Sequence, residues 1–209
     1  MALNVFVMVP RAKVVNGILN GYRIGEYPKT AFKGLSVYKP PPGFIEVTPE
    51  NEDTSVSPHF TLKQFLCKQA DGHPKYVVLR ERLLLKLELV LQETNAGGFR
   101  SDTLHVMSGY CTPYFNKAIG NVKYSRHVFG GAADVFIDAS PVDGVMDDLN
   151  GDGRLDVRDA AVLYDIVDRL YGEERYDSFV GGLGQYRETP AHGAFVHVEV
   201  RGFRARWGR

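Results

Sequence analysis

Three side chains that commonly bind metals lie in two short segments of the sequence. His127 and Asp134 stand seven residues apart with Gly130-Gly131 between them, and His197 lies in the middle of the run AFVHVEV. A glycine-rich connection can double back without strain, so an imidazole and a carboxylate could reach the same ion. Two histidines and an aspartate leave a fourth position for water, which is the open pattern of catalytic zinc. From spacing alone, a chance arrangement of these residue types stays open.

Two further side chains near His197 have the chemistry to transfer a proton. Glu199 shares a strand face with Phe195 and His197, because side chains alternate along a strand. Its carboxylate could take a proton from water, whereas His192, in the turn before the strand, could polarise a carbonyl or protonate a leaving amine. Both also have a structural explanation, Glu199 as an acid that supports a ligand and His192 as a turn residue.

A second constellation occupies DLNGDGRLDVRD, residues 148–159. Its loop positions 1, 3, 5, 7, 9 and 12 are the ligand positions of an EF-hand, with Gly153 at the sharp sixth position. These positions hold Asp148, Asn150, Asp152, Arg154, Asp156 and Asp159. Arg154 would bind through its backbone carbonyl, and the carboxylates repel one another unless a cation neutralises them. The loop therefore predicts a structural calcium. Aspartate at position 12 departs from the EF-hand rule and resembles the single loop and helix of dockerin-type repeats.

The elements that must position these groups follow from hydrophobic periodicity. Alternation predicts strands over 104–110, 133–138 and 194–200, and helical spacing predicts helices over 76–95 and 157–171. Leucines on more than one face of the first helix place it deep in the core. This mixture indicates an α+β domain with an antiparallel sheet.

A small β-rich segment precedes that domain. Short β-like runs at 3–9, 35–38 and 44–47 are separated by Asn-Gly pairs and three prolines, and a polar stretch places a boundary near residue 55. The residues from Ser57-Pro58 onwards predict a short capped helix. We therefore divide the sequence into 1–55 and 56–209, with a calcium-loop insertion at about 140–160.

Composition excludes several classes of protein. The 25 Lys and Arg balance the 25 Asp and Glu, which argues against the net basic surface of a nucleic-acid or anionic-membrane binder. No apolar run is long enough for a transmembrane helix, and the start MALNVFVMVPR lacks the basic leader of a signal peptide. Cys67 and Cys111 fit no metal-binding spacing and predict two buried thiols, although one bridge between them stays open.

Three motifs resemble the zinc D-alanyl-D-alanine peptidases of family M15, which share their fold with the hedgehog signalling domain. The signature S-x-H-x-x-G-x-A-x-D is present as Ser125, His127, Gly130, Ala132 and Asp134. SGYCTPYFN (108–116) and HGAFVHVEVRGFRARW (192–207) resemble the family's preceding and closing segments. The three motifs occur in the family's order across roughly residues 57–208, which makes the match specific.

The resemblance implies a fold of the hedgehog/DD-peptidase type and a set of site residues. By this analogy His127, Asp134 and His197 bind a catalytic zinc, and Glu199 or His192 handles the proton. Ser125, Arg126 and Tyr110 would contact the substrate. The implied activity is that of a zinc metallopeptidase, a carboxypeptidase or endopeptidase acting on peptidoglycan stem peptides. Because this substrate and free calcium lie outside the cytoplasm, we expect a protein of the bacterial envelope or a secreted protein.

One position departs from the family pattern. Cys111 stands where these peptidases usually have an arginine after SGY. A thiol offers one weak donor and no positive charge, so it cannot hold a carboxylate or a developing oxyanion as arginine does. Arg126 or Arg201 could replace it, the substrate could differ, or the chain could be a non-catalytic zinc-bearing module that binds cell-wall peptide or an envelope partner. The sequence leaves the oligomeric state open.

Overall fold

The computed structural model describes residues 4–208 and has a mixed α+β structure, which confirms the predicted class. Over this range the helices are α1 (Glu81–Ala96), α2 (Pro113–Ala118) and α3 (Val157–Arg169). The strands are β1 (Val9–Pro10), β2 (Ile18–Leu19), β3 (Tyr22–Arg23), β4 (Gly43–Val47), β5 (Ser55–Ser57), β6 (Phe60–Thr61), β7 (Lys75–Val77), β8 (His105–Ser108), β9 (Ala132–Phe136), β10 (Gly182–Tyr186), β11 (Phe195–Glu199) and β12 (Ala205–Trp207). The more specific hedgehog/DD-peptidase fold stays a prediction.

Contacts divide the chain into two compact units. The first unit comprises Met1–Arg80 and Ser108–Ala132, and the second comprises Glu81–Met107 and Ala133–Arg209. In the first unit, β4 is the central strand of an antiparallel sheet with the order β1-β4-β7. Its buried core is formed by Leu19, Tyr22, Ile24, Phe44 and Tyr76. The sequence boundary near residue 55 stays a prediction.

Three sequence predictions for the N-terminal segment have different outcomes. The run 44–47 is a strand, as predicted. In the run 3–9 only Val9 belongs to a strand, and Leu3 lies outside the described residues. The predicted strand 35–38 is wrong, because Ser36–Tyr38 is a 3-10 helix. Its turn is closed by backbone bonds, and Tyr38 packs edge-on against Phe129, an aromatic contact that alternation cannot reveal.

Two predicted helix starts are also wrong. Ser57 ends β5, which pairs with β6, and the helical turn is the 3-10 helix Leu62–Phe65. Thr61 and Gln64 form a capping box there, so the N-cap is Thr61, four residues after the predicted Ser57. Tyr76 lies in β7 opposite Glu46, and α1 begins only at Glu81. The buried Tyr76 and Val77 belong to the sheet rather than to the apolar face of the helix.

The second unit contains a five-stranded sheet with the order β12-β10-β11-β9-β8. Strand β10 pairs antiparallel with β11, as predicted, and parallel with the edge strand β12. The strands predicted at 104–110, 133–138 and 194–200 are confirmed as β8, β9 and β11, with bounds that differ by one or two residues, and α3 packs on β10 and β11. Helix α1 is not enclosed on all sides, because Leu85 is 46% exposed while Leu83 and Leu87 are buried.

The ring of Trp207 covers the glycine positions of β10 on one face of this sheet. Gly184 lies directly opposite His197 in the register between β10 and β11. A Cβ atom at Gly184 would lie 2.3 Å from the indole nitrogen of Trp207, so only glycine leaves room for that ring. Trp207 pairs with Gly184 from the other side, and its ring centre lies 5.3 Å from that of His197. The missing side chain thus allows an aromatic wall beside His197.

Candidate metal centre

His197 lies between two carboxylates. Its Nδ1 atom is 2.7 Å from Oδ1 of Asp134, and its Nε2 atom is 3.3 Å from Oε2 of Glu199. Burial by itself would lower the pKa of His197, but the bonds and charges of Asp134 and Glu199 outweigh it and raise the pKa to about 9. Without a metal, this imidazole therefore carries a proton at neutral pH.

Glu199 is held from three sides within the same unit. One carboxylate oxygen pairs with Nε of Arg201 and the other faces His197, while Nζ of the buried Lys86 donates to the Glu199 carbonyl at 2.9 Å. Burial raises the pKa of Glu199, but the bonds from His197 and Arg201 lower it to about 2. A carboxylate so firmly ionised is suited to orient His197 and is a weak proton acceptor.

His127 is presented by the 3-10 helix Arg126–Phe129. Its Nδ1 atom lies 2.7 Å from the carbonyl oxygen of Gly109. Because a carbonyl can only accept, Nδ1 carries the hydrogen, and the lone pair of the neutral ring lies on Nε2. Gly130 ends the helix with φ of 64°, and a Cβ atom there would lie 2.3 Å from the carbonyl oxygen of Val78. The glycine of the signature is therefore required by the backbone that follows His127.

Together His127, Asp134 and His197 could hold a metal ion. Each offers one ligand atom, and these atoms lie within 4.8 Å of one another. Two ligands bound at about 2.0–2.1 Å to a tetrahedral zinc lie about 3.3 Å apart, so the 2.7 Å contact between Asp134 and His197 would need to open only slightly. Imidazole and carboxylate donors suit Zn²⁺ and other divalent transition metals.

His192 lies in the turn before β11 and is half-buried. Its Nδ1 atom donates to the carbonyl oxygen of Gly193 at 2.8 Å, which leaves the lone pair on Nε2. The ring also packs edge-on against Phe195 at 5.1 Å between ring centres. Phe195 shares the sheet face of His197, so His192 lies at the rim of that face with a nitrogen able to accept a proton.

The three predicted substrate contacts lie in the first unit. Arg126 is 3% exposed; its guanidinium donates to the Val37 carbonyl and lies 4.9 Å from the centre of the Tyr38 ring. Tyr110 is buried, and its hydroxyl lies 2.8 Å from that of Tyr27. Ser125 precedes the helix of His127 and is half-buried. Their role in substrate binding stays a prediction, and the burial of Arg126 weakens it as a replacement for the missing arginine.

Tyr186 and Trp207 are the residues near His197 that sequence reasoning missed. Nε1 of Trp207 donates to the Tyr186 hydroxyl at 2.7 Å, and the Tyr186 ring stacks on Phe195 at 4.7 Å. Because the indole donates to its oxygen, the hydroxyl hydrogen is directed to another acceptor. Tyr186 is 39% exposed, so a ligand can reach it. The run GGLGQY carried the signal, since alternation places Tyr186 and two bare glycine positions on one strand face.

Side chains of the predicted calcium loop accept hydrogen bonds from the backbone of the same loop. The Asp148 carboxylate accepts backbone N–H bonds from Gly151 and Gly153, at 2.8 and 2.7 Å. The side-chain oxygens of Asn150 and Asp152 accept from the backbone two residues further on, at 2.9 and 3.0 Å. These turns gather oxygen donors in an exposed loop, which is the chemistry of a calcium site.

The end of the loop is built into the start of α3. Asp156 caps the helix, and the fully buried Asp159 accepts N–H bonds from residues 149, 150 and 156. Helix α3 begins at Val157, as predicted, and ends at Arg169. Arg158 pairs with Asp152 and Asp156 at 2.8 Å each, so a guanidinium neutralises two carboxylates of the loop. The oxygen donors therefore fit calcium, with Arg158 as its competitor.

We compared the chain with protein-family models and with curated proteins. The chain matches no protein-family model, and no curated protein matches it. Over residues 4–208, α1 to α3 include no helix with the length and apolar character needed to span a membrane. The resemblance to the M15 peptidases therefore depends on the motifs quoted above.

Proposed function

We propose that this chain is a zinc-dependent peptidase that hydrolyses D-amino-acid-containing bonds of peptidoglycan stem peptides. The observation that carries the proposal is the convergence of His127, Asp134 and His197. Zinc bound by these residues would polarise a scissile carbonyl and lower the pKa of water. The stem-peptide substrate comes from the motif resemblance, and with it the location in the envelope or outside the cell.

Each neighbouring side chain takes the role that its contacts favour. Glu199, charged and tied to Arg201, keeps His197 in place through its 3.3 Å contact with Nε2. His192 accepts a proton at Nε2 and returns it to the leaving amine, because its Nδ1 hydrogen is already committed to Gly193. We assign the general-base role to His192 and leave Glu199 a positioning role.

Tyr186 supplies part of what the missing arginine would supply. Its hydroxyl hydrogen is available for a carbonyl oxygen that gains negative charge, because Trp207 donates to the same oxygen atom. A neutral donor is weaker than a guanidinium and cannot pair with a free carboxylate. The substrate bond is therefore expected to be internal to the peptide rather than next to a terminal D-alanine.

The test is mass spectrometry of muropeptides incubated with zinc-loaded protein. We expect cleavage of a stem-peptide bond, loss of cleavage in Asp134→Ala, and a fall of about tenfold to a hundredfold in kcat for Tyr186→Phe with KM little changed. Tyr114→Phe, which removes a hydroxyl that pairs with Arg23, is the matched control and should keep the wild-type kcat. Intact muropeptides after incubation with protein that has bound zinc would refute the peptidase.

The second candidate function is a zinc-bearing module that binds cell-wall peptide without cleaving it. The observation that favours it is the absence of a cation at the SGY motif, where Cys111 is buried, together with the burial of Arg126. A module of this kind would bind muropeptides in a calorimetric titration and leave them intact. Binding without cleavage by zinc-loaded protein would therefore select this candidate.

We also propose that the loop 148–159 binds one structural calcium. The proposal is supported by the oxygen donors of Asp148, Asn150 and Asp152, which the loop's own N–H groups hold in place. Bound calcium would fix the start of α3 by drawing these oxygens together. Its effect belongs to stability, and hydrolysis at His197 does not depend on it.

A further inference from the structure

The segment after β8 runs closely alongside the segment that contains Cys67. The N–H of Tyr110 donates to the carbonyl of Phe65 at 2.9 Å, and the N–H of Thr112 donates to Sγ of Cys67 at 3.5 Å. A Cβ atom at Gly109 would lie only 2.6 Å from Cα of Phe65. Cys67 and Cys111 therefore lie in two backbone segments that run side by side.

The two thiols are also close to each other and shielded from water. Cys67 is 2% and Cys111 is 6% exposed. A hydrogen bond from Cys111 is the main cause that lowers the pKa of Cys67 to about 6, against the effect of burial, and the N–H of Thr112 contributes. The hydrogen bond between the two thiols places the sulfurs beside each other in the folded chain, as a disulfide requires.

We propose that Cys67 and Cys111 form a disulfide when the chain folds in an oxidising compartment. The oxidant is a small-molecule or protein disulfide. The Cys67 thiolate attacks one of its sulfurs, forms a mixed disulfide and releases one thiol. The Cys111 thiolate then attacks Sγ of Cys67 and releases the second thiol. Two thiols of this chain are oxidised, two hydrogens leave them, and one external disulfide is reduced to two thiols.

Burial determines when this reaction occurs. With both sulfurs almost inaccessible in the folded unit, an external disulfide must reach them before the segments 65–67 and 109–112 close on each other. The same burial protects the finished bond, because a reductant must attack one of its sulfurs directly. We expect a bond that forms during folding and resists mild reductants afterwards.

The crosslink would stiffen the segment that holds His127. The carbonyl of Gly109 accepts from Nδ1 of His127, and the N–H of Cys111 donates to the His127 carbonyl at 3.3 Å. At position 111 this chain would thus have a covalent crosslink beside the candidate ligand His127, where the M15 motif has an arginine. The inference does not depend on the peptidase function, because the contacts that carry it involve neither zinc nor substrate.

The experiment is oxidative refolding of the full chain with a mixture of reduced and oxidised glutathione. The product is denatured, treated with iodoacetamide and weighed by intact mass spectrometry. We expect no alkylation and a mass lower by two hydrogens, whereas protein reduced in denaturant should take up an alkyl group at both of its cysteines. Protein that keeps two alkylatable thiols, or that carries glutathione on either cysteine without an internal bond, would overturn the proposal.

Thermal unfolding supplies the second readout. Oxidised wild type should melt several degrees above the reduced protein, because the bond closes a long loop in the unfolded chain. The double variant Cys67→Ala, Cys111→Ala should show the same melting temperature with and without oxidant. The comparison of oxidised with reduced wild type does not depend on this variant. Equal melting temperatures of these two forms would also contradict a bond across these segments.

Discussion

The two candidate ion sites differ in how their charges are balanced before an ion binds. In the buried group, Asp134 and Glu199 face the two nitrogens of His197, and Arg201 pairs with Glu199. In the exposed loop, Asp148 is satisfied by backbone N–H groups, and Arg158 balances Asp152 and Asp156. The proton on His197 thus compensates the carboxylate charges in the core, whereas Arg158 and solvent compensate those of the exposed loop.

The difference follows from the cost of burying charge. An uncompensated carboxylate in the core is so unfavourable that its partners must be in place in the folded chain, which shapes the group in advance of a metal. In the exposed loop, solvent screens the carboxylates, so its geometry can change when an ion arrives. We therefore expect removal of the buried ligands to have the larger effect.

The largest expected effect is that of His197→Ala and of Asp134→Ala on zinc content. Wild-type protein should carry close to one zinc per chain, and each variant close to none, because two protein ligands do not complete the shell. Elemental analysis of protein purified without chelators measures this. Asp148→Ala, which alters only the exposed loop, is the control and should keep its zinc. Wild-type protein that carries no transition metal and takes none up would refute the site.

The next effect is a dependence of zinc affinity on pH. In the metal-free protein the pKa of His197 is raised to about 9, so zinc must displace a proton from this ring at any lower pH. The affinity should therefore rise about tenfold per pH unit from about pH 7 and level off above about pH 9. Competition with a chromophoric chelator, corrected for the chelator's own protonation, measures it. A zinc affinity that stays constant below pH 9 would show that zinc binding does not displace a proton from His197.

Strand periodicity predicts one part of the buried group, the placement of His197 beside Glu199. His197 and Glu199 differ by two positions, so they share a face whatever the rest of the fold does. What periodicity cannot predict is that Asp134, on another strand, contacts His197, or that Arg126 is buried. Arg126 precedes a candidate ligand in the sequence, but its environment is set by Tyr38, which reaches it from a segment almost 90 residues away.

In the calcium loop, local sequence spacing predicts more of the contacts than it does in the buried group. The arrangement of Asp148, Asn150 and Asp152 follows from local spacing, because their side chains accept hydrogen bonds from residues two to five positions further on. The capping role of Asp156 follows in the same way. The pairing of Arg158 with both Asp152 and Asp156 depends on how the helix starts, so the spacing of the loop does not predict it.

A smaller effect is expected when calcium is added. An ion that binds only the folded loop stabilises by mass action, about 2.7 kcal/mol at a hundredfold excess over Kd, which corresponds to a rise of about 5 °C or more in Tm for a chain of this size. Scanning calorimetry with zinc held constant measures it. The variant Asp148→Ala, Asp152→Ala should lose the rise and keep its zinc. An equal Tm in excess chelator and in millimolar calcium would show that the loop does not bind a stabilising calcium.

The smallest effect concerns Arg158, whose side chain is 52% exposed. Without calcium, Arg158→Gln should change the stability of the protein little, since exposed ion pairs contribute little. With calcium it should raise affinity severalfold, because the guanidinium no longer competes for Asp152 and Asp156. Isothermal titration of calcium into both proteins measures the change. Arg169→Gln removes the same charge at the far end of α3, about 16 Å along the helix axis, and should change affinity much less. If both variants bind calcium as the wild type does, the carboxylates paired with Arg158 are not calcium ligands, and the loop is a helix cap stabilised by arginine.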